Sequence, residues 1–125
     1  MRSAALAYKA SHASTATPGE LVVMLYDGAL RFLDEAARAY RSGDEGAAHQ
    51  AVMRAERVVL ELMACLDLRY ELAQQLLSLY RYLFERMGEA RRKKDPVELE
   101  RLRGWFGELR EAWAQAERKL RTGVH

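Results

Sequence analysis

The side chains that could do chemistry are few and scattered in this sequence. Of its three histidines, His12 lies near the start and His125 is the last residue, which leaves His49 in the middle. A di-iron helical bundle needs Glu-x-x-His pairs, and the sequence contains none. The single cysteine, Cys65, can form neither an intrachain disulfide nor a cysteine-rich zinc site. We therefore expect no enzyme, no metal and no cofactor.

The remaining polar candidates have simpler interpretations. Glu45 and His49 lie four residues apart, a spacing that is more typical of an exposed helical pair than of a metal site. The run Arg91-Arg92-Lys93-Lys94 suits the cationic end of a helix, and contact with nucleic acid or an acidic partner is the alternative. No aromatic residues interrupt this run, and the net charge is only +2. We expect no nucleic-acid partner.

Length and composition favour one domain with its own core. A chain of 125 residues with 50% hydrophobic residues can bury a core without disulfides or metals. No uninterrupted apolar stretch approaches the length of a membrane span, so we expect no membrane insertion. The single cysteine suits a reducing, cytoplasmic compartment, and we expect Cys65 to be a buried small hydrophobe.

Both prolines mark helix starts. Thr17-Pro18-Gly19-Glu20 and Asp95-Pro96-Val97-Glu98 each place a capping side chain before proline and a glutamate three residues after the cap. The spacing of apolar residues then predicts helices over residues 18–41, 45–66, 70–92 and 96–120. The predicted fold is all-α, an antiparallel up-down four-helix bundle. We assign residues 1–16 to a mobile or short-helical N-terminal tail, 17–121 to the bundle and 122–125 to the C-terminal end.

Each predicted helix carries an apolar stripe that should form the core. For the third and fourth helices, the stripes are Leu72, Leu76, Leu79, Leu83, Met87 and Ala90, and Leu99, Leu102, Phe106, Leu109, Trp113, Ala116 and Leu120. Further apolar residues lie beside the stripes of the first and third helices. This surplus is explained by a broader core, by a groove for the amphipathic helix of a partner, or by a homodimer interface. The tail could cover such a groove when no partner is bound.

Short segments along most of the chain match one family pattern. They are Ala7-Tyr8, Thr15 to Leu21, Met24 to Ala29, Leu79-Tyr80-Arg81-Tyr82, Glu89-Ala90 and Leu109 to Trp113. Together they resemble the FliS family of flagellar secretion chaperones. The resemblance implies a four-helix bundle in the bacterial cytoplasm that binds the disordered C-terminal segment of flagellin and prevents premature polymerisation. It also implies delivery to the cytoplasmic domain of the flagellar export-gate protein, with neither ATP nor catalysis.

Seven residues are candidates for partner binding. The resemblance assigns partner binding to Tyr8 in the tail. Leu25 and Tyr26 match the motif of the first helix; Leu25 suits the core better, whereas Tyr26 lies off the stripe and suits a contact. On the third helix, helical-wheel positions outside the main stripe select the remaining four: Tyr70, Leu77, Tyr82 and Phe84. The competing hypothesis is a non-catalytic bundle that forms a homodimer or serves as a regulatory adaptor for another protein.

Overall fold

The computed structural model describes residues 17–122, with side chains through Leu120, as four α-helices. They are α1 (Pro18–Arg41), α2 (Glu45–Ala64), α3 (Glu71–Lys93) and α4 (Pro96–Thr122). The predicted helices are confirmed to within two residues at each boundary. The tail predicted for residues 1–16 lies outside the described residues. None of these helices combines the length and the hydropathy needed to span a bilayer.

The helix starts follow the capping signals in the sequence. The Thr17 hydroxyl accepts a hydrogen bond from the Glu20 amide at 3.1 Å, and the Glu20 carboxylate accepts one from the Thr17 amide at 3.0 Å. Asp95 caps α4 by accepting from the amide of Val97 at 3.0 Å. By contrast, Tyr70 precedes α3 without any capping side-chain hydrogen bond. The start of α3 therefore lacks the side-chain cap that the other three helices have.

The four helices form the predicted antiparallel bundle, but they are not equally packed. The helix α1 packs closely along both α2 and α4, whereas α3 contacts these two neighbours more loosely. Because α1 and α3 are diagonal to each other, they meet only through long side chains, including those of Tyr26 and Tyr80. The bundle thus has a tightly packed side around α1 and a looser side around α3.

The buried arc of α1 is broader than the stripe expected from the sequence. Leu25 is buried as expected, but Tyr26, which we placed outside the stripe, is fully buried as well. Ala29 and Leu33 are buried beside it. The prediction that Tyr26 faces a partner was wrong because α1 packs against two helices at once, and a residue between both contacts has no access to solvent.

The core is shorter than the apolar stripes of α3 and α4. Leu72, Ala116 and Leu120 were expected in the core, yet all three are exposed. Arg86 pairs with Glu98 at 2.8 Å, and in this antiparallel register Glu71, the first residue of α3, stands opposite Trp113. The part of α4 beyond Trp113 therefore extends past the start of α3, which cannot cover its apolar residues. Cys65, expected to be buried, is exposed after the end of α2.

Three ion pairs join the outer faces of α1 and α4, and we call them the α1–α4 ion pairs. Asp27 pairs with Arg110 at 2.8 Å, Asp34 with Arg103 at 3.3 Å, and Arg41 with Glu100 at 2.7 Å. Asp27 and Asp34 are seven residues apart, and so are their two arginine partners. This spacing keeps successive pairs on one face of each helix and favours the observed antiparallel register.

Candidate functional site

An apolar groove lies between the first half of α3 and the second half of α4, and we call it the α3–α4 groove. It encloses about 300 Å³, and its lining consists entirely of apolar residues: Leu72, Leu76, Leu109, Ala112, Trp113 and Ala116. At its rim the Leu72 side chain is 66% exposed. A concave apolar surface of this kind is typical of a binding site for the apolar face of a helix.

Helix length and side-chain size together produce the groove. Beyond Trp113, α4 extends past the start of α3, so Ala116 at the end of the groove has no residue of α3 opposite it. Two of the lining residues of α4, Ala112 and Ala116, are small and leave a depression beside the larger Leu109 and Trp113. A row with larger side chains at the alanine positions would fill this space.

Two tyrosines meet in the core between α1 and α3. Tyr26 from α1 and Tyr80 from α3 are almost fully buried, and their hydroxyls are hydrogen-bonded to each other. The rings lie 6.5 Å apart at a tilt of 58°. Burial raises the pKa of both hydroxyls, because the charged phenolate would lose its hydration. Both groups therefore stay protonated, and neither is suited to serve as a base.

Trp113 belongs both to the groove and to the core. Its ring lines the groove and also packs against the buried core. Trp113 also opposes in part the rise in the pKa of both tyrosine hydroxyls that burial causes. A side chain that packs on the core thus forms part of the groove surface.

A second apolar surface lies on the other side of α3, and we call it the α2–α3 face. Tyr70, Leu77, Phe84 and Arg91 follow one another at intervals of seven residues, which places them along one stripe of α3. Arg91 pairs with Glu56 of α2 at 3.2 Å, so this stripe faces α2. Leu77 and Phe84 are half-buried there, while Tyr70 at the start of the stripe is 64% exposed.

Ion pairs hold the second half of α3 to both neighbours. The buried carboxylate of Glu98 accepts hydrogen bonds from Arg86 at 2.8 Å and from Arg101 at 2.6 Å. On the other side, the buried carboxylate of Glu56 pairs with Arg91. The first half of α3 meets its neighbours mainly through apolar side chains and through Tyr80. The apolar groove lies beside this first half.

The structure separates the seven candidate residues. Tyr8 lies outside the described residues, and Leu25 and Tyr26 are in the core. Tyr70, Leu77 and Phe84 share the α2–α3 face. Tyr82 is 57% exposed on the outer side of α3, where it lines, together with Phe84, a more polar depression of about 640 Å³. Within residues 17–122, no histidine, cysteine or carboxylate side chains are grouped in a way that could hold a metal ion.

The residues of the α3–α4 groove were not among the candidates. Sequence reasoning assigned Leu72, Leu109, Trp113 and Ala116 to the core because they continue regular apolar stripes. A signal was nevertheless present, since the fourth helix was predicted to be longer than the part of the third helix that can pair with it. If the two helices are counted outward from the turn that joins them, the fourth extends further than the third. The apolar residues at its far end then have no residue of the third helix opposite them.

Comparisons with known protein sequences identify the family that the chain matches. The family model described as flagellar protein FliS matches residues 1–120. The flagellar secretion chaperone FliS of Bacillus subtilis (strain 168) is 36% identical over 120 residues, covering 94% of this chain and 90% of that protein. The protein of the same name from Salmonella typhimurium (strain LT2) is 32% identical over 108 residues, covering 84% of this chain and 80% of its own. The resemblance inferred from the motifs is confirmed.

Proposed function

Because the chain belongs to the FliS family of flagellar secretion chaperones, we propose that it binds the C-terminal segment of flagellin in the cytoplasm. Binding would keep this segment from polymerising before export. The complex would then pass to the cytoplasmic domain of the flagellar export-gate protein. The role is that of a binding protein without catalysis.

The α3–α4 groove is the observation that carries this proposal. It presents an apolar depression in which the anchors of an amphipathic helix, spaced by three or four residues, can be buried. The exposed leucine at its rim, Leu72, would lose contact with water on binding. Concave apolar surface of this kind often marks a site where a partner binds.

The α2–α3 face supports a long contact. A segment that folds on binding loses conformational entropy, and a large buried surface is needed to compensate. Leu77 and Phe84 offer apolar surface on the side of α3 that faces α2. Leu60 of α2 is half-exposed and lies one helical turn after Glu56, the residue that pairs with Arg91 of α3. A cargo segment that continues around α3 would use both surfaces.

The first prediction concerns Leu72, which is the second residue of α3. We expect Leu72→Asp to weaken flagellin binding at least tenfold, because it places a charge at the rim of the apolar groove. An acidic residue in the first turn of a helix is favourable, so the fold should be retained. The measurement is a calorimetric titration of the full chain with a peptide covering the last ~40 residues of flagellin from the same genome, a length chosen for a standard interface.

Val97→Asp is the matched control for this experiment. Val97 is the second residue of α4 and is 51% exposed, but it does not line the groove. This variant should bind the peptide as the parent protein does. Equal losses in both variants would remove the groove from the binding site. No binding by the parent protein, together with a concentration-dependent increase in its mass, would favour the homodimer instead.

A further inference from the structure

The apolar surface of the α2–α3 face continues from α3 onto the exposed side of α2. The ion pair of Arg91 with Glu56, at 3.2 Å, joins the two helices on this side of the bundle. Met53 lies three residues before Glu56 and Leu60 lies four residues after it, so both are neighbours of Glu56 on the surface of α2. Both side chains are about half-exposed. An exposed apolar row on α2 therefore adjoins the apolar stripe of α3.

Each of these two apolar rows includes one arginine, at the same spacing. Arg57 lies four residues after Met53 and three residues before Leu60. Arg81 has the same spacing from the two half-buried residues of the α3 stripe. Residues three and four positions apart are neighbours on a helix, so each arginine lies beside two large apolar side chains. Both arginines are exposed.

The two arginines lie at opposite margins of the apolar surface. On α2, the two apolar residues lie between Glu56, which faces α3, and Arg57. On α3, Arg81 lies on the outer side of the stripe, because Tyr80 on its other side is buried. The apolar side chains therefore occupy the middle of the surface, and a positive charge stands on each side of them.

These positive charges have no acidic partner within residues 17–122. Neither Arg57 nor Arg81 is paired with a carboxylate there, whereas the arginines of the α1–α4 ion pairs are. The carboxylate of Glu56 is buried and already pairs with Arg91. Glu85 is exposed but lies beyond Arg81, further from α2. An incoming segment with acidic side chains could therefore pair with both arginines.

We propose that the α2–α3 face, together with Met53, Leu60 and the two arginines, binds a helical segment of the cargo whose apolar stripe is flanked by Asp or Glu. The lining of the α3–α4 groove is entirely apolar and offers no charged group to a partner. Charges at the margins of an interface fix the register of the partner and speed its encounter. This surface would thus select the acidic part of the cargo. The proposal rests on the function proposed above.

The second prediction concerns the two arginines. We expect Arg57→Gln/Arg81→Gln to bind the flagellin peptide about three- to tenfold more weakly at low salt, because two charged contacts are lost. Raising the salt from about 0.05 M to about 0.5 M should weaken binding by the parent protein, since salt screens such contacts, and it should affect the double variant less. Calorimetric titration of the full chain at both salt concentrations measures the affinities.

A neutral form of the peptide tests whether its acidic residues are the partners. In this form every Asp is replaced by Asn and every Glu by Gln. It should bind the parent protein more weakly than the native peptide does, and it should no longer distinguish the parent from the double variant. Such non-additive losses indicate a direct interaction between the two sets of residues. Additive losses, or a flagellin segment without Asp and Glu, would overturn the proposal.

Arg38→Gln/Arg54→Gln is the matched control, because it removes the same charge from two other exposed arginines. Within residues 17–122, these two also lack an acidic partner. Arg38 belongs to α1, and Arg54 lies one turn before Val58, which packs against Gly28 of α1. The control should bind the peptide as the parent does and keep its salt dependence. Equal losses in both double variants would mean that only net charge matters, and the proposed surface would be wrong.

The failure of this inference can be distinguished from the failure of the proposed function. If the parent protein binds the peptide and Arg57→Gln/Arg81→Gln binds it equally well at both salt concentrations, the function stands and the charged surface is wrong. If the parent protein does not bind the peptide, both the function and the surface are wrong. Far-ultraviolet circular dichroism confirms in each variant that the helices are intact.

Discussion

At the scale of single residues, burial determines the acid–base behaviour of the two core tyrosines. Tyr26 and Tyr80 have raised pKa values, mainly because burial removes the hydration that a phenolate needs. In the unfolded chain, both hydroxyls have a pKa of about 10. Folding is therefore linked to proton uptake at alkaline pH. Above about pH 10, the folded state keeps protons on both tyrosines that the unfolded state has released.

The third prediction follows from this linkage. Stability from the two neutral tyrosines is fully present below about pH 10 and is lost as the pH rises, because the unfolded state releases protons first. Each tyrosine can contribute a slope of up to about 1.4 kcal/mol per pH unit. We would measure the free energy of unfolding in urea between pH 8 and 11. It should fall less steeply with pH in Tyr26→Phe/Tyr80→Phe than in the parent protein. Parallel curves would contradict the raised pKa values.

At this scale, the sequence predicts burial correctly for Leu25 on the main apolar stripe of α1. Leu25 was assigned to the core because it lies on the main apolar stripe, and it is buried. Tyr26 was misplaced because a helical wheel treats one stripe as the only buried direction, whereas α1 packs against both α2 and α4. Its hydroxyl partner lies 54 residues away, and no local pattern identifies it.

At the scale of helices, α3 is held by charge in one half and by apolar contacts in the other. Two of the buried carboxylates, those of Glu56 and Glu98, each accept hydrogen bonds from an arginine of α3. A buried carboxylate with its hydrogen bonds satisfied keeps its partner in one geometry. We expect the amides in the first half of α3 to exchange hydrogen faster than those in the second half.

The fourth prediction tests the tie between α3 and α4. Glu98→Gln should lower the free energy of unfolding by about 2 kcal/mol, because it weakens charge-assisted hydrogen bonds to both Arg86 and Arg101. Glu100→Gln, which affects the exposed pair with Arg41, should cost less than about 1 kcal/mol. Urea unfolding at neutral pH measures both. Equal costs would mean that burial does not strengthen the Glu98 contacts.

The helix boundaries could be predicted because they depend on local chemistry. Thr17, Asp44 and Asp95 cap the helices that follow them, and each cap acts over three residues or fewer. The α3–α4 groove could not be found from apolar periodicity alone. Whether Leu72 is covered depends on the register between α3 and α4 and on where α3, the shorter of the two, begins. Both are properties of the helix pair and cannot be read from either helix alone.

At the scale of the whole molecule, the two sides of the bundle differ in what they present to solvent. The α1–α4 ion pairs cover the joint between the closely packed helices α1 and α4 with charge. Apolar surface is instead exposed around α3, in the groove and on the α2–α3 face. Since α3 is diagonal to α1, the apolar surface around α3 lies on the side of the bundle away from the outer face of α1.

The fifth prediction concerns the charged side. Asp27→Asn/Asp34→Asn removes the acidic partners of Arg110 and Arg103, which lie on the surface. Exposed pairs contribute little, so we expect the double variant to lose no more than about 1–2 kcal/mol of stability. Its titration with the flagellin peptide should match that of the parent protein. A large loss of affinity would instead place the cargo across α1 and α4.

The pairing of α1 with α4 also has a consequence for how the chain acquires its structure during synthesis. The contacts between Asp27 and Arg110 span 83 residues, and α1 cannot complete its packing until α4 has left the ribosome. Contacts between distant residues slow folding, because a long loop must close before they form. The α1–α2 hairpin is local and can form first. A nascent chain that ends before α4 would therefore expose the face of α1 that α4 later covers, and it would be sensitive to proteases.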